Sequence, residues 1–281
     1  MNRPKESIRG RSVAIDVAAA KLSSTAGLLV ALVLAAAPRP ARAAAFIYRS
    51  IVLPYGDAAA DMGLGIGRAP ASPDSDRSVT GLGLNLGLAG GLGYGWEVGV
   101  RTGIRFEGEG RSMRADQYGR TWDTETYGTG TGSVANPELH LRWLAAHGPG
   151  AQLGLEFRAY LPIESGTRVG FMLALPVMFR IGVVRVDTGL YVPFLFGPER
   201  SIFSIPIDVW IGAGRIWFGP TMGLRTGESG GGFDHYPFGF GLGYAASSAV
   251  DLRTWLLFPD IGADAAARRW GIGLAVQIHF Q

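Results

Sequence analysis

The chain has 281 residues, 43 of them glycine, with 17% charged residues, no cysteine and a formal net charge of +3. The lack of cysteine excludes a disulfide scaffold, a thiolate metal site and a cysteine nucleophile. The small charge, with much of its basic excess in the first residues, leaves no footprint for nucleic acid. Glycine at about twice its usual share asks for many turns and for strands carrying small residues on a crowded face. No three-residue repeat marks a collagen.

The N-terminal segment reads as an export signal. Arg3, Lys5, Arg9, Arg11 and Lys21 make a basic region, and 27–37 (GLLVALVLAAA) is an apolar run of eleven residues. Ala41-Arg42-Ala43 or Ala43-Ala44-Ala45 supplies small residues at a cleavage site. Eleven helical residues reach roughly 16 Å, about half the hydrocarbon thickness of a bilayer, so removal of 1–43 is expected and a retained anchor is not. No run of eighteen apolar residues follows. Residues 44–281 then form one domain, beginning with a short tail over 44–56.

From there the hydropathy alternates with a period of two, in stretches of about ten residues. The first strand is expected over 57–67, with Ala60, Met62, Leu64 and Ile66 on one face. The second, over 79–92, sets Leu82, Leu84, Leu86 and Leu88 against Gly81, Gly83, Asn85 and Gly87. A turn at Tyr94-Gly95 leads to the third, over 96–106, where Val98, Val100, Thr102, Ile104 and Phe106 oppose Glu97, Gly99, Arg101, Gly103 and Arg105. A long polar loop, 107–133, follows. The fourth and fifth strands, 134–144 and 152–162, share a face of Leu139, Leu141, Trp143, Leu153, Leu155, Phe157 and Leu161. Their other face holds Glu138, His140, Arg142, Gln152, Glu156 and Arg158. The remaining strands are expected at 169–181, 184–194, 203–211, 216–224, 238–244, 250–258 and 270–281.

Connections after the even strands are short and built from Gly, Ala or Ser, whereas those after odd strands are mostly longer and polar. A soluble sandwich has no reason to sort its loops this way. Twelve strands, each with one apolar face, would also coat a soluble barrel in far more apolar surface than a monomer tolerates. Pro137, Pro176, Pro193, Pro206 and Pro220 fall inside these strands; Pro176 and Pro220, in mid-strand, require a bulge or a local break.

The last strand carries the clearest pattern. Trp270, Ile272, Leu274, Val276, Ile278 and Phe280 share one parity; Gly271, Gly273, Ala275, Gln277, His279 and Gln281 share the other. This resembles the closing strand of bacterial outer-membrane β-barrels, in which alternating hydrophobics lead to a terminal aromatic. The chain departs from that pattern by ending on Gln281. The resemblance implies an all-β fold: a closed antiparallel transmembrane barrel of about twelve strands, with short periplasmic turns, longer extracellular loops and both termini in the periplasm. It also implies that Phe280 is read by the barrel-insertion machinery. Two aromatic girdles are expected, with Trp96, Trp143, Phe179, Tyr244 and Phe280 at the periplasmic end and Phe106, Phe194, Phe203, Phe258 and Trp270 at the outer end.

By parity, the lumen should hold Arg101, Arg105, Arg142, Arg158, Arg180, Arg185, Arg225 and Arg253, with Glu97, Glu138, Glu156, Asp187, Asp208 and Asp251, and His140 among them. Such a set either cross-braces a sealed interior or lines a narrow pore. A barrel of this size is roughly 24 Å across, which leaves a passage of roughly 10 Å after side chains. The expected function is therefore a narrow, porin-like channel for small solutes; a structural or adhesive barrel with a sealed, salt-bridged lumen is the alternative. A surface hydrolase would rest on Asp234-His235 alone, with Glu228 nearby, and no Ser–His spacing of a lipase occurs. The glycine-rich GLGLNLGLAGGLGYG has no helix pattern after it and is not a dinucleotide site. No cofactor, metal or catalytic residue is expected. The expected partners are outer-membrane lipid, the insertion machinery and small solutes, with no nucleic acid; the oligomeric state does not follow.

Overall fold

The computed structural model describes residues 46–70, 78–106, 114–115, 121–122, 134–163, 169–195, 203–226, 233–258, 261 and 270–280. Twelve long strands run β1 Ala58–Pro70, β2 Ser78–Gly93, β3 Trp96–Phe106, β4 Val134–His147, β5 Ala151–Tyr160 and β6 Gly170–Ile181. They continue as β7 Val184–Leu195, β8 Ser204–Ala213, β9 Ile216–Thr226, β10 Phe238–Ala245, β11 Val250–Phe258 and β12 Trp270–Phe280. Each pairs antiparallel with its neighbours in sequence. The ring closes where β1 pairs with β12, from Ala58↔Phe280 to Arg68↔Trp270. Closure is what a membrane demands, because lipid offers no partner to an edge strand's N–H and C=O groups.

The alternation read in the sequence becomes the two faces of this wall. Leu64, Ile66, Leu88, Val98, Leu139, Leu155, Leu173, Phe240, Leu256 and Leu274 face outward and exposed, while their odd or even partners are buried within the ring. Trp96 stacks on Trp143 at 5.8 Å at the end of the barrel that carries the short turns, hereafter the turn end. Toward the loop end, Phe157, Phe171 and Phe194 stack in a row at 5.9 and 4.8 Å.

Three of the strand prolines coincide with breaks in pairing. Pro137 lies at a register shift between β3 and β4, where Arg101↔Glu138 passes to Gly103↔Ala135. The β5–β6 ladder steps from Leu153↔Val177 to Glu156↔Ala174, skipping the position of Pro176. The β8–β9 ladder skips Pro220 in the same way, stepping from Asp208↔Thr221 to Ile211↔Phe218. A residue without an N–H cannot complete those rungs. β4 runs to His147, three residues beyond its expected end, because a second register shift between Leu144 and Ala146 absorbs the extra chain.

Turn-end geometry follows local chemistry. Tyr94 has φ 51° between Gly93 and Gly95, at 92° and 78°, so the β2–β3 turn needs the two glycines that flank it. Of the long 107–133 loop, only Arg114–Ala115 and Thr121–Trp122 are described, and they pair antiparallel; the rest, like the leader 1–43, lies outside the described residues.

Candidate functional site: the lumen and the segment seated in it

The inner wall brings opposite charges side by side because the register sets them at equal height. Glu97 lies opposite Arg142, and Arg142 opposite Glu156. Arg142 donates from Nε to Glu156 Oε2 at 2.9 Å, and its Nη1 lies 3.3 Å from Glu97 Oε1. Arg158 donates to Glu156 and lies 3.6 Å from Glu138, while His140 Nε2 sits 3.2 Å from Glu97 Oε1. Glu97, Arg142 and Glu156 are at most 3% exposed. Charges so far from water persist only when paired and hydrogen-bonded.

On β7, Arg185 grips Asp187 through Nε at 2.8 Å and Nη2 at 3.0 Å. Asp208, opposite Asp187 in the register, accepts from Thr221. Across the barrel, Arg253 bonds Asp61, which also accepts from Gln277 Nε2 at 3.0 Å. A void of about 20 Å³ lies beside Asp61, Gly87, Arg101, Arg253 and Trp255, room for about one water.

The other part of the inner wall is built from tryptophan laid on glycine. A Cβ at Gly243 would fall 2.0 Å from the Trp217 ring, and one at Gly273 would fall 2.1 Å from Trp255. These glycines are the small residues on a crowded face that the composition asks for.

The tail expected over 44–56 is described from residue 46 onward, and 46–57 run along the inner wall at the turn end. Phe46 stacks on Trp217 at 5.2 Å and meets Trp210 edge-on at 5.6 Å. The Arg185 guanidinium lies 4.6 Å from the centre of the Phe46 ring and donates to the carbonyls of Phe46 and Arg49, both at 2.8 Å. Arg49 bonds Asp251 and approaches His279 Nε2 at 2.6 Å. Burial lowers the Arg49 pKa from its ordinary value, and Asp251 opposes the shift. Ile51 donates its N–H to Gln152 at 2.9 Å and accepts from Arg142 at 2.9 Å; Leu53 donates to Glu97 at 2.8 Å. Phe46, Ile47, Ile51, Val52 and Leu53 are all buried.

Wall glycines make the room for this segment. A Cβ at Gly91 would lie 1.9 Å from the Pro54 carbonyl oxygen, one at Gly212 would lie 2.8 Å from Ile47, and one at Gly154 would lie 3.0 Å from Ile51.

Of the residues expected to line the lumen, Arg101, Glu138, His140, Arg142, Glu156, Arg158, Arg185, Asp187, Asp208, Asp251 and Arg253 are buried on the inner face. Arg180 stands at the turn-end rim, donating to the carbonyls of Pro149 at 2.9 Å and Tyr48 at 3.3 Å. Arg225 is half-buried near the loop end, opposite Ser204. The side chain of Arg105 lies outside the described residues, as do those of Asp234 and His235; the backbone of Phe233–His235 pairs with β9. Sequence reasoning missed Asp61 and Arg49. Asp61 shares the parity of Gly63 and Gly65 and was legible; Arg49 sits outside any periodic stretch, and only the apolar run around it gave a signal. No group of three metal-ligating side chains occurs among the described residues.

No protein-family model matches the chain, and no curated protein matches it in sequence. Solved structures do match. A KdgM porin in complex with disordered oligogalacturonate aligns with a TM-score of 0.52 at 10% identity, covering 79% of this chain and 99% of that one. The NanC porin aligns at 0.52 and 7% identity, over 77% and 98%. The outer membrane phospholipase A of Escherichia coli aligns at 0.44 and 14% identity, over 86% and 98%. With its closed twelve-strand ring and apolar outer face, this chain has the fold of the bacterial outer-membrane β-barrels.

Proposed function

We propose that the protein is a narrow outer-membrane channel for small solutes whose passage is shut, in the conformation described, by residues 46–57. One observation carries this reading: the turn end of the lumen is filled by a separate stretch of chain seated on wall glycines, where wall side chains would otherwise stand. A wall built only to seal would fill that room itself, since glycine inside a strand costs stability. The segment is held by hydrogen bonds, ring contacts and ion pairs, all of them reversible. Arginine–carboxylate pairs on the wall behind it provide a polar lining once it moves.

The apolar belt calls for lipid, and the leader and closing strand support the bacterial outer membrane, with the short turns and both termini in the periplasm. Phe280, paired with Ala58 at the seam, is the assembly signal in this reading. Phe280→Ala lowers the yield of inserted barrel; full yield from that variant would remove the role.

Planar-bilayer recording tests the channel. The intact chain should be closed for most of the record, and deletion of residues 47–54 should give frequent discrete steps. Silence from both would establish the second reading, a sealed structural barrel, which the buried Glu97–Arg142–Glu156–Arg158 network favours.

A further inference from the structure

Arg49, on the segment seated in the lumen, turns one nitrogen toward three acceptors of the wall. Its Nη1 bonds the Asp251 carboxylate, lies 2.6 Å from His279 Nε2 and reaches Gln277 Oε1 at 3.5 Å. A guanidinium only donates, so Nε2 must accept here, and the His279 ring is neutral with its proton on Nδ1. His140, the other buried histidine among the described residues, meets a carboxylate instead: its Nε2 lies 3.2 Å from Glu97.

The groups facing His279 come from every element around it. Arg49 belongs to the seated segment, and Asp251 and Arg253 to β11. Gln277, on its own strand, carries the contact on to Asp61 of β1, which also bonds Arg253. Arg185 of β7 stands behind Arg49 and donates to its carbonyl. Two of these partners differ in freedom. His279 is fixed in the wall, paired with Ala59 of β1 and donating its N–H to Ala249, whereas Arg49 sits on a segment at the turn end and belongs to no ladder.

We propose that His279 is a proton-operated latch for residues 46–57: a proton on Nε2 breaks the bond from Arg49, sets two cations on one carboxylate and frees the Phe46–Arg49 end of the segment. Asp251 is fully buried, its Oδ2 lies 3.5 Å from Nε2 and its Oδ1 has no hydrogen-bond partner, so the carboxylate keeps the imidazolium when the guanidinium leaves. The released state therefore binds the proton more readily than the seated one, and acid favours release. The hold is present above the titration of His279 and is lost as the pH falls through it, in the range of about pH 5 to 8 where histidine titrates. The Ile51–Leu53 end, tied to Gln152, Arg142 and Glu97, is untouched by this step. That release opens a passage rests on the channel reading above; the latch itself does not.

The test is labelling of the folded, full mature chain by N-ethylmaleimide at a single introduced cysteine, Ile47→Cys, at about pH 7.5 and about pH 5. Rates are taken relative to Tyr94→Cys, a fully exposed site at the same end, which cancels the thiol's own response to pH. The relative rate should rise at least about tenfold in acid. His279→Gln keeps an acceptor and loses the titration, and should stay slow at both pH values. Arg49→Gln, which lies outside the strands and removes the second cation, should respond to pH no more. Heat-modifiable migration shows that each variant has folded. A relative rate unchanged by acid in the unaltered segment overturns the latch. So does an acid response that persists in either folded variant, or fast labelling of His279→Gln at both pH values. Bilayer recording separates the two readings: acid labelling without conductance, in the intact chain and in the 47–54 deletion alike, removes the channel and leaves the latch.

Discussion

Two parts of the same inner wall solve the same problem in different ways. Across β3–β5, large charged side chains stand shoulder to shoulder, and the register alternates their signs: Glu97, Arg142, Glu156. Across β9–β12, large tryptophans lie flat, and the register places a glycine beneath each ring. The first arrangement is held by electrostatics that fail if one member is lost; the second is held by volume and fails if one atom is added. Residues 46–57 bridge them, with Phe46 on the tryptophan side and the backbone of Ile51 and Leu53 on the charged side.

The sharpest way to break the charged side is Arg142→Ala. Two carboxylates at most 3% exposed would lose their shared partner. Breaking a buried ion pair costs about 3–5 kcal/mol, so the unfolding free energy of the barrel, measured by urea titration in detergent, should fall by that much. An unchanged midpoint would mean that water already reaches Glu97 and Glu156. On the aromatic side, Gly243→Ala adds one methyl at 2.0 Å from the Trp217 ring. Overpacking of this kind costs about 1–3 kcal/mol, and Trp fluorescence should shift with it. If Gly243→Ala proves harmless, the rings have room to move and the contrast between the two sides dissolves.

Phe46→Ala should change the global unfolding of the barrel least, because the segment that carries this ring opens locally without breaking the strand ladder. Its effect should appear instead as faster trypsin cleavage after Arg49, which is partly buried and paired with Asp251 in the seated state. Equal cleavage rates in the two proteins would show that Phe46 does not anchor the segment.

Most of the wall was legible in the sequence because strand periodicity is local. Parity alone set Glu97, Arg142 and Glu156 on one face and Leu139, Leu155 and Phe157 on the other. What parity cannot provide is register: nothing within β9 or β10 says that Trp217 will lie over Gly243, since that contact depends on how two strands slide before they pair. The prolines were legible as irregularities but not as particular omitted rungs. The segment 46–57 was illegible for a different reason. It has no period, and its five buried apolar residues take their meaning from a cavity that twelve other segments build.

That segment is the centre of the account, and a single crosslink tests its position most directly. A Cβ placed at Gly212 would lie 3.7 Å from Ile47 Cβ, within the span of a disulfide, and the chain has no cysteine to compete. Ile47→Cys with Gly212→Cys, oxidised in assembled membranes, should close almost completely, leaving no thiol for maleimide. Two thiols that stay fully reactive under the same oxidation would contradict the seating of residues 46–57 in the lumen.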